Sequence, residues 1–290
     1  MTKFDKKVDF AVLFTVRNAN PNGDPLTGNR PRENYDGLGE VSDVCLKRKI
    51  RNRLQDAGEK LFVQSDDRSD DGLTNLTARA NSVPALKKAL AGKKEKEAHD
   101  IACNTWIDVR SFGQVFALKA EKKSDSTSEK GVSVGVRGPV SIHPAFSVGP
   151  VEIETIQITK SVNTEEKSGK ASDTMGTKHR INFGLYVFYG SINCQLAEKT
   201  GFSQEDAEKI HEALRTLFEN DASSARPDGS MEVRRVLWWQ HNCASGQYPS
   251  AKVHRSLQVQ PLVDTPAEYE DFRITVTPLP DLACQDEQFD

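Results

Sequence analysis

Hydrophobic and polar positions alternate over residues 8–17, placing Val8, Phe10, Val12, Phe14 and Val16 on one face of an extended chain. A period of two held this long predicts a strand with one side buried. Asn20-Pro21-Asn22-Gly23-Asp24-Pro25 follows, and its two prolines and Asn-Gly pair demand a tight, non-helical loop. The period becomes helical over 42–57. Leu46, Ile50, Leu54 and Ala57 form one stripe, Ser42 or Asp43 caps the start, and Gly58 suits the position past the end. Alternation returns at 151–159 and at 181–189, where Ile181, Phe183, Leu185, Val187 and Tyr189 share a face. Residues 203–219 give the clearest helix, with a capping-box-like start at Ser203 and Asp206 and a stripe of Ala207, Ile210, Leu214 and Leu217. A strand at 232–240 comes next, then a weaker one at 253–259 and an edge strand at 271–277 stopped by Pro278 and Pro280.

Two stretches interrupt this order. Residues 59–146 hold an acidic loop (Asp66, Asp67, Asp70, Asp71), a helix near 84–91, and strand-like runs at 106–118 and 132–142. A charged, Ser-rich linker over 119–131 separates those runs. Residues 160–180 contain only Val162, Ala171 and Met175 as apolar side chains, so they are expected to protrude as an arm that buries little. With the first stretch set aside, the order is strand, helix, strand, strand, helix, strand. That is the α+β, ferredoxin-like βαββαβ arrangement, with helices on one face of an antiparallel sheet. Its other face is either free for a ligand or covered by the insertion. The expectation is one discontinuous domain over 1–290. Its body is 1–58, 147–159 and 181–263, with an insertion at 59–146, an arm at 160–180 and a frayed acidic tail at 264–290.

Composition narrows the function classes. The chain has 290 residues and 37% hydrophobic side chains, enough for a substantial core, and no apolar run near the ~18 residues of a membrane span. Met-Thr-Lys-Phe-Asp-Lys-Lys lacks the apolar core of a secretory signal, so a cytoplasmic protein without a membrane partner is expected. Five cysteines, odd in number and at least 41 residues apart, suit neither a zinc site nor a disulfide scaffold. The net charge of −3 is uneven: residues 264–290 carry eight acids and one base, leaving the rest at +4. Phosphate binding would therefore rest on local patches.

Four patches qualify. Lys47, Arg48 and Arg51 lie together on one flank of the first helix, which has no acid from 44 to 55. The like charges repel unless an anion neutralises them, so a phosphate backbone fits, as does a plain solvated basic face. Arg17, Asn18, Asn20 and Asn22 end the first strand, where ligand-binding loops sit, although Asn also serves as a turn former. Read as a strand, 108–116 puts Arg110, Phe112, Gln114 and Phe116 on one face; that mixture suits a single-strand binder, and core phenylalanines beside an edge arginine suit it equally. Arg137 before Gly138-Pro139 contacts phosphate or caps a turn. No G-x-x-x-x-G-K-[ST], G-x-G-x-x-G or H-E-x-x-H is present, and the aspartates at 66–71 lack the EF-hand pattern. No catalytic residue, metal or cofactor is expected. Phe-Gly-Leu-Tyr-Val-Phe at 183–188 resembles the aromatic strand of an RRM, with Ile181 where a basic residue is expected. His143 and His179 remain open as an acid–base pair.

R-N-A-N-P-N-G-D-P at 17–25, N-R-P-R-E-N at 29–34, V-S-D-V-C-L-K-R-K-I-R at 41–51, R-S-F-G-Q-V-F at 110–116, V-R-G-P-V-S at 136–141 and D-T-M-G-T-K-H at 173–179 form an ordered set. The set resembles the backbone subunit of CRISPR Cascade complexes in its type I-C form, within the RAMP superfamily. The resemblance implies an RRM-like palm, fingers at 59–146 and a thumb at 160–180. It also implies an antiviral, non-catalytic role, in which copies stack head to tail along the spacer of a crRNA and leave bases free to pair with target DNA. The implied partners are crRNA, target DNA, further copies of the chain, and other Cascade subunits: the one that binds the crRNA 5′ handle and the large subunit. The residues implied to line the guide are Arg17, Asn18, Asn20, Asn22, Lys47, Arg48, Arg51, Arg110, Phe112, Gln114 and Arg137. Met175 is implied as a wedge beside a displaced base, with Lys178 and His179 near it. One rival is a RAMP-type endoribonuclease processing crRNA through His143 or His179; another is an unrelated small-molecule enzyme of ferredoxin-like fold.

Overall fold

In the computed structural model, which describes residues 2–117, 133–159 and 175–289, β1 (Val8–Ala19) is buried from Val8 to Val16 on both its faces. The chain continues through a short ribbon of β2 (Gly23–Asp24) and β3 (Arg30–Pro31) to β4 (Leu38–Val41) and α1 (Asp43–Asp56). Four helices follow, α2 (Leu76–Asn81), α3 (Pro84–Ala91), α4 (Glu95–Thr105) and α5 (Ile107–Phe112), then the hairpin strands β5 (Gln114–Ala117) and β6 (Ser133–Val136). β7 (Val140–Ile142), β8 (Ala145–Pro150), β9 (Ile153–Thr159) and β10 (Met175–Ile192) come next, then α6 (Cys194–Thr200), α7 (Gln204–Arg215) and β11 (Met231–Gln240). The last elements are α8 (Ser250–His254), β12 (Leu257–Pro261), β13 (Phe272–Val276) and β14 (Cys284–Gln288).

The result is a mixed α/β fold around one eight-stranded sheet in the order β14-β11-β1-β10-β8-β4, with β7 and β9 also pairing β10. The pairings within it are antiparallel. Phe10, Val12, Phe14 and Val16 point from β1 into a core shared with Leu46, Ile50 and Leu54 of α1 and with Ala207, Ile210 and Leu214 of α7. Each such side chain contributes about 1.5–3 kcal/mol by leaving water. Ring stacking adds definition: Phe14 lies 5.3 Å from Tyr186 at 15°. α7 starts where expected, on a capping box in which Ser203 and Asp206 satisfy each other's backbone N–H.

The opposite face is closed by the C-terminal third rather than by the insertion. Ala11, Leu13, Leu237 and Trp239 pack under Val253 of α8, Leu257 of β12 and Leu282. The insertion instead builds its own core, in which Phe62 sits 4.8 Å from Trp106 and 4.9 Å from Phe116. Residues 140–146 belong to the main sheet, since β7 and β8 pair β10, so the insertion ends near Gly138 rather than at 146. A Cβ at Gly138 would fall 2.2 Å from the Ser111 carbonyl oxygen, which fixes glycine at this junction.

Three other expectations are corrected. Residues 107–112 are helical, and the chain turns through Gly113 at φ +86° before β5 begins. Ile107 to Ser111 are all buried, so no polar face marks the helix in the sequence. The run at 253–259 divides between α8 and β12. The tail is not frayed: β14 pairs β11 from Trp239↔Cys284 to Arg235↔Gln288 and forms the sheet's edge. Its acids are matched to arginines, with Asp286 gripping Arg235 through two bonds of 2.7 and 2.6 Å and Glu287 2.7 Å from Arg215. The expected linker at 119–131 and most of the expected arm, residues 160–174, lie outside the described residues.

Candidate nucleic-acid interface

The loop after β1 is fastened to the first helix. Asn22 Oδ1 accepts hydrogen bonds from Ser42 N and Oγ, both 2.9 Å, while the Ser42 hydroxyl caps α1 through Cys45 N. Asn20 is buried and donates to the Asn29 carbonyl at 2.7 Å, so both asparagines hold the loop's shape. Asn18 is exposed in the left-handed region at φ 51°, which asparagine tolerates better than most residues. Arg17 is exposed; its guanidinium lies over the Phe183 ring at 5.1 Å and donates to the Ala267 carbonyl at 3.0 Å. Nearby, Asp221 takes both Lys49 and Arg226, and Arg32 lies 3.5 Å from Asp24. Arg32 belongs to the Asn-Arg-Pro-Arg-Glu-Asn run, whereas nothing local in the sequence points to Arg226.

The flank of α1 is less available than its composition implies. Lys47 bonds Asp43 at 2.8 Å, Arg48 donates to the Val63 carbonyl at 3.0 Å, and Arg51 bonds the buried Asp108 at 2.9 Å. Asp108 also accepts from Phe62 N and Val63 N. The repulsion among these cations is thus relieved by carboxylates and a carbonyl of the same chain. Arg48 and Arg51 dock the insertion onto the sheet's helices, and Arg51 covers the Phe112 ring at 5.0 Å.

Arg110 is withdrawn from any surface role. It is buried in α5 and forks onto Asp206 of α7 with two bonds of 2.8 Å, adding a contact to the Cys103 carbonyl. A guanidinium so enclosed is stable only when its donors are satisfied, and here they are. Gln114 starts β5 beside Val136, with its amide on the Val115 carbonyl. Arg137 is exposed, with no ion pair or hydrogen bond among the described residues. The acidic loop is structural as well: Arg79 bonds Asp71 and holds its carboxyl down at about 2. No group of metal-binding side chains occurs among the described residues.

At the other end of β10, residues 175–180 run past β1, whose last pair is Ala19↔Ile181, and bond only β9 among the described strands. This overhanging ribbon presents Met175, 67% exposed, with Thr159 opposite. Lys178 is half-buried and has no ion-pair partner among the described residues. His179 Nδ1 is hydrogen-bonded to Thr155 Oγ1 at 2.9 Å. Ile156 and Ile158 line the ribbon's other face with Lys178, and Gly176 lets Ile158 lie close across the pair.

The residues implied to line the guide therefore gather at two ends of the sheet. Arg17, Asn18, Asn20 and Asn22 lie at the ribbon end. Arg110, Phe112, Gln114 and Arg137 lie at the insertion end, where Val140 pairs Ile192. Nine residues of β10 separate these ends, roughly 30 Å of extended chain, and α1 spans between them. The same geometry dissolves the histidine pair. His143 N bonds the Tyr189 carbonyl, ten residues along β10 from His179 and so about 33 Å away.

A large antiparallel sheet with α1 and α7 on one face and α8 with β12 on the other, an inserted second core and an overhanging ribbon beside a cationic loop define the class: an α/β scaffold whose surface features extend from one sheet. Comparison with known proteins gives the family. The profile of the CRISPR-associated protein Cas7 family matches residues 6–277, and the chain belongs to that family. A CRISPR-associated protein Cas7 of Haloferax volcanii is 28% identical over 231 residues, covering 74% of this chain and 65% of the relative's length. A solved chain of a CRISPR RNA-guided surveillance complex in a pre-nicking state aligns with a TM-score of 0.48 at 18% identity, covering 80% of this chain and 78% of its own. Another chain from a CRISPR RNA-guided surveillance complex aligns at 0.43 and 19% identity, covering 80% and 68%.

Proposed function

We propose that this chain is a crRNA-binding backbone subunit of a CRISPR surveillance complex of the type I-C Cascade form. Copies follow one another head to tail along the guide, and the guide's bases pair with target DNA in antiviral defence. Membership of the Cas7 family over residues 6–277 carries this reading. In it, the β11-β1-β10-β8 part of the sheet with α1 and α7 is the βαββαβ palm, the insertion supplies the fingers, and the β9–β10 ribbon is the root of the thumb. Sequence is read by pairing, so the protein needs only cations and shape for the backbone. Among the described residues, Arg17, Arg48, Lys178 and Arg137 are the cations of the implied set without a carboxylate partner; Arg48 is committed to the Val63 carbonyl against the insertion, so Arg17, Lys178 and Arg137 stand as the principal phosphate contacts. Lys47, Arg48 and Arg51 act from within internal pairs, and Arg110 acts only by holding the fingers to the palm. Met175, in the last described pair of the ribbon, remains the wedge. A head-to-tail contact is heterologous and extends rather than closes, which suits a filament on a strand. The chain acts without catalysis; the crRNA-processing alternative loses its acid–base pair to the distance between His143 and His179.

Size-exclusion chromatography of the full chain, with absorbance at 260 and 280 nm, tests the reading. The expected result is an RNA-laden assembly holding RNA of discrete length. An RNA-free monomer with no affinity for single-stranded RNA would overturn it, and metal-free cleavage of repeat RNA, lost in His143→Ala, would favour the nuclease.

A further inference from the structure

We propose that the loop over 262–271, which joins β12 to β13, is an autoinhibitory strap. It holds Arg17 in the RNA-free chain, screens that end of the sheet from stray polyanions, and yields Arg17 to a phosphate of the bound strand. This rests on the RNA-binding reading and adds a regulation to it. The loop stands outside the eight-stranded sheet, at the end of the β12–β13 pair that closes on Pro261↔Phe272. It meets β1 at Arg17, whose guanidinium donates to the Ala267 carbonyl at 3.0 Å while lying over the Phe183 ring. One of the principal phosphate contacts is thus occupied by the chain itself, at an exposed site.

The partner makes this contact releasable. Ala267 offers a neutral carbonyl, and a phosphate oxygen is the stronger acceptor for a guanidinium because both groups are then charged. Arg110 shows the opposite arrangement, forked onto the buried carboxylate of Asp206. The strap also keeps its shape without Arg17. Asp271 Oδ2 accepts from Ala267 N and Glu268 N at 2.8 and 3.0 Å, and Leu262 N donates to the Asp271 carbonyl at 2.7 Å. Arg234 of β11 covers the Tyr269 ring at 4.7 Å and supplies a second anchor.

Charge is a separate observation. Residues 264–271 (DTPAEYED) hold four acids and no base. Asp264 and Glu268 are exposed and have no ion pair among the described residues, whereas the tail acids Asp286 and Glu287 are matched to Arg235 and Arg215. Unpaired carboxylates in the loop that holds Arg17 repel an approaching phosphate, most strongly at low salt. A strand engaged by several cations and several copies at once offsets that repulsion, and a short stray polyanion does not.

The test measures binding of the full, RNA-free chain to a ten-nucleotide single-stranded RNA by fluorescence anisotropy over a range of salt. Asp264→Asn combined with Glu268→Gln, which leaves an acceptor at the Glu268 cap, should bind about tenfold more tightly at about 50 mM salt and like the wild type at about 500 mM. The gain should shrink below about twofold in an Arg17→Gln background. Glu208→Gln with Glu212→Gln on α7, across the sheet from β12, should leave binding unchanged. Unchanged or weaker binding by the loop variant, or an equal gain without Arg17, overturns the strap while leaving RNA binding standing. An equal gain from the α7 pair reduces the effect to net charge and overturns it too. No RNA binding by any of these chains overturns both readings.

Discussion

Arg110 and Asp206 show how one residue pair can join two parts of a chain. Asp206 caps α7 and, through the same carboxylate, receives the fork of Arg110 from the insertion. Removing one partner strands a charge away from water, so Arg110→Ala is expected to cost about 3–5 kcal/mol in urea denaturation, against less than about 0.5 kcal/mol for Arg137→Ala. Arg137→Ala should instead flatten the salt dependence of RNA binding by about 0.7 in log–log slope. A second buried group, Asp9, is pushed up by desolvation but held below the usual carboxylate range by hydrogen bonds from His241, Ser250 and Lys7. Burial lowers His254 and His211 below 6.5. A group with a lowered folded value supports the fold above its unfolded pKa and withdraws that support as pH falls. Stability should thus decline below about pH 6.5 through the histidines, then below about pH 4 through Asp9. Scanning calorimetry should show a lower Tm at pH 5 than at pH 7.5, with a smaller drop in His254→Gln.

Helices were legible where one face met water. α1 and α7 carry clean periods because each divides its residues between core and solvent, and β1, although buried on both faces, keeps its largest side chains on one; the structure places all three within four residues of the pattern's limits. α5 was illegible for the opposite reason: with nearly all its residues buried, alternation and helical period look alike over six positions. The cations of α1 were legible as residues but not as contacts, since their partners Asp108 and Val63 are distant in sequence and meet α1 only after the insertion folds. The ribbon makes the clearest prediction at this scale. Residues 175–180 add no strand pairing beyond β9, and Ile153 and Ile181 anchor the root. Replacing 156–178 with a short Gly-Ser link should leave Tm within a few degrees, by calorimetry, while RNA affinity falls at least tenfold. A large loss of stability would show the ribbon to be part of the core.

At the scale of the whole molecule, both faces of the sheet are covered, and the last segment completes it. Ending the chain at Pro280 would strip β14, expose the edge of β11 and take Asp286 from Arg235 and Glu287 from Arg215. The expected outcome is aggregation, visible as a loss of soluble protein and of the cooperative thermal transition. The motif set that marked this chain as similar to Cascade backbone subunits was readable because those residues are local runs. The distribution of their side chains between surface and interior was not. By itself the sequence determined the amphipathic strands and helices, the interrupting insertion and the family, since each is written in neighbouring residues. Only the tertiary structure decided that Arg110 is interior, that the acidic tail is an edge strand, and that the cations divide between two ends of one sheet. Those outcomes depend on which distant carboxylate each arginine meets in the folded chain, and contacts across roughly fifty to a hundred residues leave no local pattern.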